Sequence, residues 1–411
     1  MSEIKRDNET VGGIGANMKF TNYTIDELID FNPSESIKKD SLAKKISMEK
    51  LLPFTRKITG FEIVPYSSGP KFRNGDTLLA KITPCLENGK TAFVDILEDD
   101  EVAFGSSEFI VLREKKEISD KEFIYYLAKS PVFRQKAISC MEGTSGRKRV
   151  NDKILKQQVL PIPDIDGQRK IASILSSLDK KIAFNSKLND NLEAMAKTLY
   201  DYWFVQFDFP DENGKPYKSS GGKMIWNEKL KREIPEGWID STLQDFLIIK
   251  NGKDHKHLSN GTFPVYGSGG VMRYADSYLY DKESVLIPRK GSLNNIMYIN
   301  EPFWSVDTMF YSEMRKEYVA KYVYYSIKDF DFSSLDTGTG VPSMTSSILY
   351  NLKLIKPNDI VLLRFDSILK DFFATIYKLN KNSELLIDIR DWLLPMLMNG
   401  QVSVNYHLAD D

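Results

Sequence analysis

With 411 residues, 42% of them hydrophobic and 27% charged, the chain has the apolar content of a globular protein, enough for roughly two to four folded units, and disorder throughout is excluded. No apolar run approaches the ~18 residues that cross a bilayer, and Met1 to Phe20 lacks the apolar core of a secretion signal. The only cysteines, Cys85 and Cys140, make neither a disulfide framework nor a zinc set, so a cytoplasmic protein is expected. A net charge of −1 offers no global attraction to nucleic acid; any phosphate-binding face must be local.

In chain order, a glycine-rich stretch (Gly12-Gly13-Ile14-Gly15) precedes a first predicted globular domain at 20–163. Its strand-like runs Thr77 to Ile82, Thr91 to Ile96 and Phe109 to Leu112 are bounded by Gly, Pro and Asn, and Asp120 to Ala137 reads as helical. A first long helix is predicted over 164–204, since no Gly or Pro occurs from Gln168 to Phe204. There Ile171, Leu175, Leu178, Ile182, Leu188, Leu192, Met195 and Leu199 recur in steps of three and four, with a lapse at Asn185. This is the seam of a helix packed on another helix, and its length is roughly 55 Å. Residues 205–236, rich in Gly, Lys, Pro and Ser, read as an exposed connector. A second domain follows at 237–357, with Glu283 to Ile287 strand-like and Glu317 to Lys328 helical. A second long helix at 358–399 carries Phe365, Ile368, Leu369, Phe372, Ile376, Leu379, Leu386, Ile389 and Leu393. Pro395 is expected to kink or end its last turns, Gly400 to stop it, and 400–411 to form a tail.

The two halves are copies of one plan. Shifted by 194 positions, Ile154-Leu155 lands on Ile348-Leu349, Leu160 on Leu354, Ile182 on Ile376, Leu192 on Leu386 and Leu199 on Leu393. Upstream, Phe123-Ile124-Tyr125-Tyr126 matches Tyr322-Val323-Tyr324-Tyr325, and Leu78-Leu79 resembles Val285-Leu286. The predicted fold is α+β: two similar domains separated by a pair of long antiparallel, coiled-coil-like helices, with an internal pseudo-two-fold repeat. Strands and helices do not alternate as in a doubly wound sheet.

Motifs for chemistry are missing. His255 and His257 sit on a Gly/Asn-rich turn with no acidic or sulfur partner nearby to complete a metal set. None of Gly12 to Gly15, Gly267-Ser268-Gly269-Gly270 or Gly338-Thr339-Gly340 carries a P-loop Lys-Ser/Thr or a dinucleotide fingerprint. Asn32-Pro33-Ser34 falls short of the Asn/Asp-Pro-Pro-aromatic motif of adenine methyltransferases, and Pro163-Asp164 leads into a helix instead of a nuclease motif.

Residues suited to DNA lie at matching places in both halves. Arg147-Lys148-Arg149 follows the flexible loop Gly143-Thr144-Ser145-Gly146 and suits phosphate contact, with arginine also able to pair with guanine. The aligned loop, Gly338 to Thr345, offers hydroxyls (Ser343, Thr345) and backbone amides in place of cations, as two arms reading different sequences would require. Lys81 with Thr83, and Arg289 with Lys290, end comparable strands; Arg273 and Tyr274 follow the turn at Gly267 to Gly270.

Several strings together resemble the specificity subunit of type I restriction-modification systems, and the resemblance covers nearly all of the chain. They are Gly338-Thr339-Gly340-Val341-Pro342-Ser343, Pro163 followed by Gln168-Arg169-Lys170-Ile171, and Leu199-Tyr200-Asp201-Tyr202-Trp203-Phe204-Val205-Gln206-Phe207. Gly214-Lys215-Pro216-Tyr217, Ile234-Pro235-Glu236-Gly237-Trp238 and Leu393-Leu394-Pro395-Met396-Leu397 with Asn399-Gly400 complete the set. The resemblance implies two target recognition domains (20–163 and 237–357), each reading half of a bipartite site in double-stranded DNA, with the helices as a ruler. It also implies docking of two methyltransferase subunits and, through them, restriction subunits. S-adenosylmethionine, ATP and Mg would then belong to those partners and none to this non-catalytic chain. Spacer and docking positions are expected at Ile171, Leu178, Ile182, Leu192, Leu199, Phe365, Phe372, Ile376, Leu386 and Leu393. Gln168, expected at the start of the first helix, is matched by Leu362, so unequal engagement of partners is expected at the two ends. The competing expectations are the DNA-recognition part of a fused restriction and methylation enzyme, and a protein-binding scaffold.

Overall fold

The computed structural model describes residues 18–144, 146–336 and 342–402; Gly12 to Gly15, Ser145 and Gly338-Thr339-Gly340-Val341 lie outside the described residues. The chain divides into two compact units, one of residues 1–186 with 380–411 and one of residues 187–379.

In the first unit a four-stranded antiparallel sheet has the order Ile29–Phe31, Phe109–Glu114, Thr77–Ala80, Thr91–Phe93. Its two central strands are apolar at successive positions because both faces are covered. Leu79, Ile110 and Leu112 turn toward the helix Lys121–Lys129, joining Phe123 and Tyr126. Leu78, Phe109 and Val111 turn the other way, onto Ile46, Phe72 and Ala103 of a second sheet. That sheet has the order Glu62–Pro65, Leu42–Ile46, Ala103–Gly105, Lys71–Phe72, with Leu42–Ile46 and Ala103–Gly105 parallel. Phe20–Thr24 pairs antiparallel with Val159–Pro163.

The predicted helix from Asp120 to Ala137 is two helices, Lys121–Lys129 and Pro131–Ser139. Pro131 cannot donate inside a helix, so it opens a new one; the Ser130 hydroxyl accepts from Phe133 N, as Asp120 does from Phe123 N at the start of the first.

In the second unit the strand order recurs. Leu247–Asn251, Met309–Met314, Ser284–Pro288 and Met297–Ile299 form the four-stranded sheet, backed by the helix Ala320–Ile327. Gly270–Ala275, Asn260–Gly267 and Trp304–Ser305 form the second sheet, again with one parallel pair, and Ile239–Thr242 pairs with Lys353–Lys356. The segment 205–236, expected as an exposed connector, has no buried residue from 210 to 233, but its two ends are anchored. Phe207, Phe209 and Ile234 are buried, and the first two pack on Trp238 with ring centroids 5.6 and 5.0 Å apart. Leaving such rings in water would forfeit about 1.5–3 kcal/mol each.

The long helices run Ile165–Tyr200, continued by a π-turn over Asp201–Val205, and Asp359–Met398. The first starts earlier than the Gly/Pro-free stretch suggests, because Asp164 Oδ1 accepts from Gly167 N at 2.9 Å and closes the first turn. Pro395 lies within the second helix, and Gly400 follows its end at φ +67°. Within the first unit, Asp179 pairs with Arg390 and Asn185 with Asn382, so the segments found there are antiparallel.

Asn185 is therefore no lapse. It is buried and donates to Asn382 Oδ1 at 3.0 Å and Ser383 Oγ at 3.1 Å. Met195, Ile368 and Ile389, assigned to the seam, are 55%, 40% and 37% exposed, while Ala196 and Arg390 take inward positions. A helix turns every 3.6 residues, so strict three-four spacing drifts off the buried face. Gln168 and Leu362 are both buried. The Gln168 side chain spends its bonds inside the unit, donating to Ile118 O and Pro163 O and accepting from Asp120 N.

Candidate nucleic-acid interface

In each unit the end of a central strand and the loop before a short helix are pinned together by three equivalent backbone bonds. In the first, Lys81 N donates to Glu108 O (2.9 Å), Val150 N to Lys81 O (2.8 Å) and Thr83 N to Lys148 O (3.0 Å). In the second, Arg289 N donates to Thr308 O (2.8 Å), Met344 N to Arg289 O (2.9 Å) and Gly291 N to Pro342 O (3.1 Å). Bridges Ile82 to Arg149 and Lys290 to Ser343 repeat the pattern. The two backbones are matched, and the side chains they present differ.

In the first unit the fold gathers Lys81, Thr83, Arg147, Lys148 and Arg149. The Thr83 hydroxyl donates to Lys148 O at 3.1 Å and braces the loop. Arg147 and Lys148 are exposed, and among the described residues neither side chain has an ion-pair partner. Arg149 is not a free cation. Its Nε donates to Glu108 Oε2 at 2.9 Å and Oε1 at 3.1 Å, and its Nη2 to Oε1 at 2.8 Å. The guanidinium holds the Glu108 carboxyl below its ordinary range, so the pair stays ionised at neutral pH.

In the second unit Arg289, Lys290, Ser343 and Thr345 come together. Lys290 is exposed; the Arg289 guanidinium lies 5.7 Å from the Phe310 ring centroid; Ser343 N donates to Asp336 Oδ1 at 2.8 Å; the Thr345 and Ser347 hydroxyls are 3.0 Å apart. The Arg273 guanidinium is engaged inside the unit: its Nη2 donates to Leu258 O at 2.6 Å and His255 O at 3.3 Å, holding the turn that carries His255 and His257. Tyr274, beside it, is exposed with Val271 and Met272. Glu108, Thr308 and Asp336 were missed, because nothing in the sequence ties Glu108 to an arginine 41 positions on.

The spacer and docking positions face inward or are half-buried: Ile171, Phe365 and Ile376 are buried, and Leu178, Ile182, Leu192, Leu199, Phe372, Leu386 and Leu393 partly so. The exposed apolar side chains on these helices are others, among them Phe184, Leu363, Leu385 and Trp392. Among the described residues no three His, Cys, Asp or Glu side chains are grouped to hold a metal, and no helix is long and apolar enough to cross a membrane.

The family model of the type I restriction modification DNA specificity domain matches this chain twice, over residues 17–194 and 235–386. The chain belongs to that family, and it is the specificity component of a type I restriction-modification system. It is similar to the specificity subunit of type I restriction enzyme MjaIX of Methanocaldococcus jannaschii, 26% identical over 321 residues, 69% of each chain. The HindI specificity subunit of Haemophilus influenzae is 32% identical over 152 residues, 37% of this chain and 32% of that one. In fold the chain is similar to the type I system S subunit from M. genitalium, with a TM-score of 0.58 at 19% identity, covering 94% of this chain and 97% of that one.

Proposed function

We propose that each unit carries one recognition domain, that the two read separate halves of a bipartite duplex site, and that the long helices set the gap between the halves. The recurrence of three backbone bonds around different side chains carries this reading: one platform, two readers. Exposed Arg147 and Lys148 supply phosphate contacts in one, Lys290 in the other. In this reading the chain contributes recognition without chemistry of its own. Two methyltransferase subunits dock on the helices, restriction subunits join through them, and these partners bring S-adenosylmethionine, ATP and Mg. The complex works in the cytoplasm, where its DNA is.

Mapping methylated adenines in a host that carries this chain with its methyltransferase tests the proposal. A motif of two specified parts around a fixed run of unspecified bases is expected, and a single contiguous motif opposes it. Shortening both helices by one or more turns should change the unspecified run; an unchanged run removes the ruler.

A further inference from the structure

We infer that Arg149 reads a guanine in the half-site of the first unit and that Glu108 is the positioning residue that aims it. The inference deepens the DNA-reading proposal and rests on it. Arg149 gives one edge of its guanidinium, Nε and Nη2, to the Glu108 carboxylate through bonds of 2.8–3.1 Å. Glu108 is itself held by the sheet, since its carbonyl accepts from Lys81 N in the bond that pins the loop. Two anchors fix the pair, one on each strand. The opposite edge of the guanidinium, Nη1 with the second Nη2 hydrogen, makes no bond among the described residues, and the side chain is 49% exposed.

A planar fork with two parallel N–H donors matches the O6 and N7 acceptors of guanine in the major groove and no other base edge. Buttressing the other edge removes the rotamer freedom that a lone surface arginine loses on binding. It also separates Arg149 from Arg147 and Lys148, whose unbraced charges suit phosphates. The second unit has Ser343 at the place of Arg149 and Thr308 at that of Glu108, so this contact belongs to one half-site only.

Competition binding by the chain in complex with its methyltransferase, on duplexes randomised within the site, decides the matter. For the wild type, replacing one G·C pair in the first unit's half-site should weaken binding roughly 5- to 150-fold. Arg149→Met should abolish that preference, because it removes both donors while keeping the apolar stem. Glu108→Gln, near-isosteric, should reduce it several-fold. Both should keep the preferences at all other positions and the wild-type salt slope. A preference unchanged in both variants overturns the inference, as does weakening shared equally by all sequences with a shallower salt slope, which marks a phosphate contact. A wild-type complex with no sequence preference sinks the DNA-reading proposal itself. Circular dichroism of each variant separates loss of contact from loss of fold.

Discussion

Both units bury an ion pair against a long helix, the second through Lys321 with Asp366 at 2.7 Å, yet at one matched position they use different chemistry. In the first, Tyr126 donates to Asp179 at 2.6 Å, Asp179 pairs with Arg390 at 2.7 Å, and all three are buried. In the second, the matching tyrosine, Tyr325, meets Phe373 with ring centroids 6.4 Å apart, and Tyr200, Trp203 and Phe204 crowd Phe365 within 6.4 Å. A buried ion pair is directional and costly to break singly; an aromatic cluster is forgiving and loses stability in proportion to area. The candidate interfaces diverge in the same manner, one built on an oriented Arg–Glu pair, the other on hydroxyls beside Arg289 and Lys290. One backbone plan thus tolerates different side chains wherever the exposed loop or the helix face, and not the sheet, sets the contact.

The largest effect should come from breaking the polar side of this contrast. Asp179→Ala should destabilise the first unit by about 3 kcal/mol, since Tyr126 loses its acceptor and the buried Arg390 keeps only Asp391, and hydrogen exchange should show the loss there while second-unit amides keep their protection. Replacing both charges, Asp179→Leu with Arg390→Met, should recover most of it. If the single and double variants are equally unstable, the pair is not what matters. On the aromatic side, Phe373→Ala should cost about 2 kcal/mol, since the ring is only half-buried and its neighbours can close up; a loss as large as that of Asp179→Ala would erase the distinction.

At the interfaces, Arg147→Ala with Lys148→Ala should lower the slope of log K against log salt by about 1.8, and Lys290→Ala by about 0.9. Titrations at several salt concentrations check both, and equal slopes would contradict the assignment of charges.

The last effect is a pH dependence confined to the first unit. Burial, and then the charge of Arg390, lower the Lys129 pKa from 10.5 to about 8. Below pH 8 folded and unfolded chains both hold the proton and the cost is constant. Above it the unfolded chain holds the proton that the folded chain releases, so stability rises with pH from about 8 toward 10. Tyr125 and Tyr126, whose pKa values burial raises, oppose the rise above their ordinary value of 10.0. Lys129→Met should flatten the rise; chemical denaturation at pH 7.5, 8.5 and 9.5 reads it.

Much of this was legible in the sequence where a pattern repeats. The apolar runs at Leu78-Leu79 and Phe109 to Leu112 marked strands, and the spaced Leu and Ile residues marked the long helices. Polar residues buried by a partner far along the chain were not legible. Asn185 looked like a gap because its partners are Asn382 and Ser383, and nothing in the sequence marks Arg390 as buried, because Asp179 lies 211 positions away. The cations at 147–149 were found as a cluster. Their separation into an oriented Arg149 and two unbraced neighbours depends on Glu108, which only the sheet brings near.

Domain exchange tests the central claim most directly. Residues 20–163 would be replaced by the matching segment of a relative that methylates a different site, and the methylated sites of the hybrid complex sequenced. One part of the bipartite motif should change to the relative's, while the other part and the gap stay as they were. A motif altered in both parts, or in neither, would contradict two independent readers.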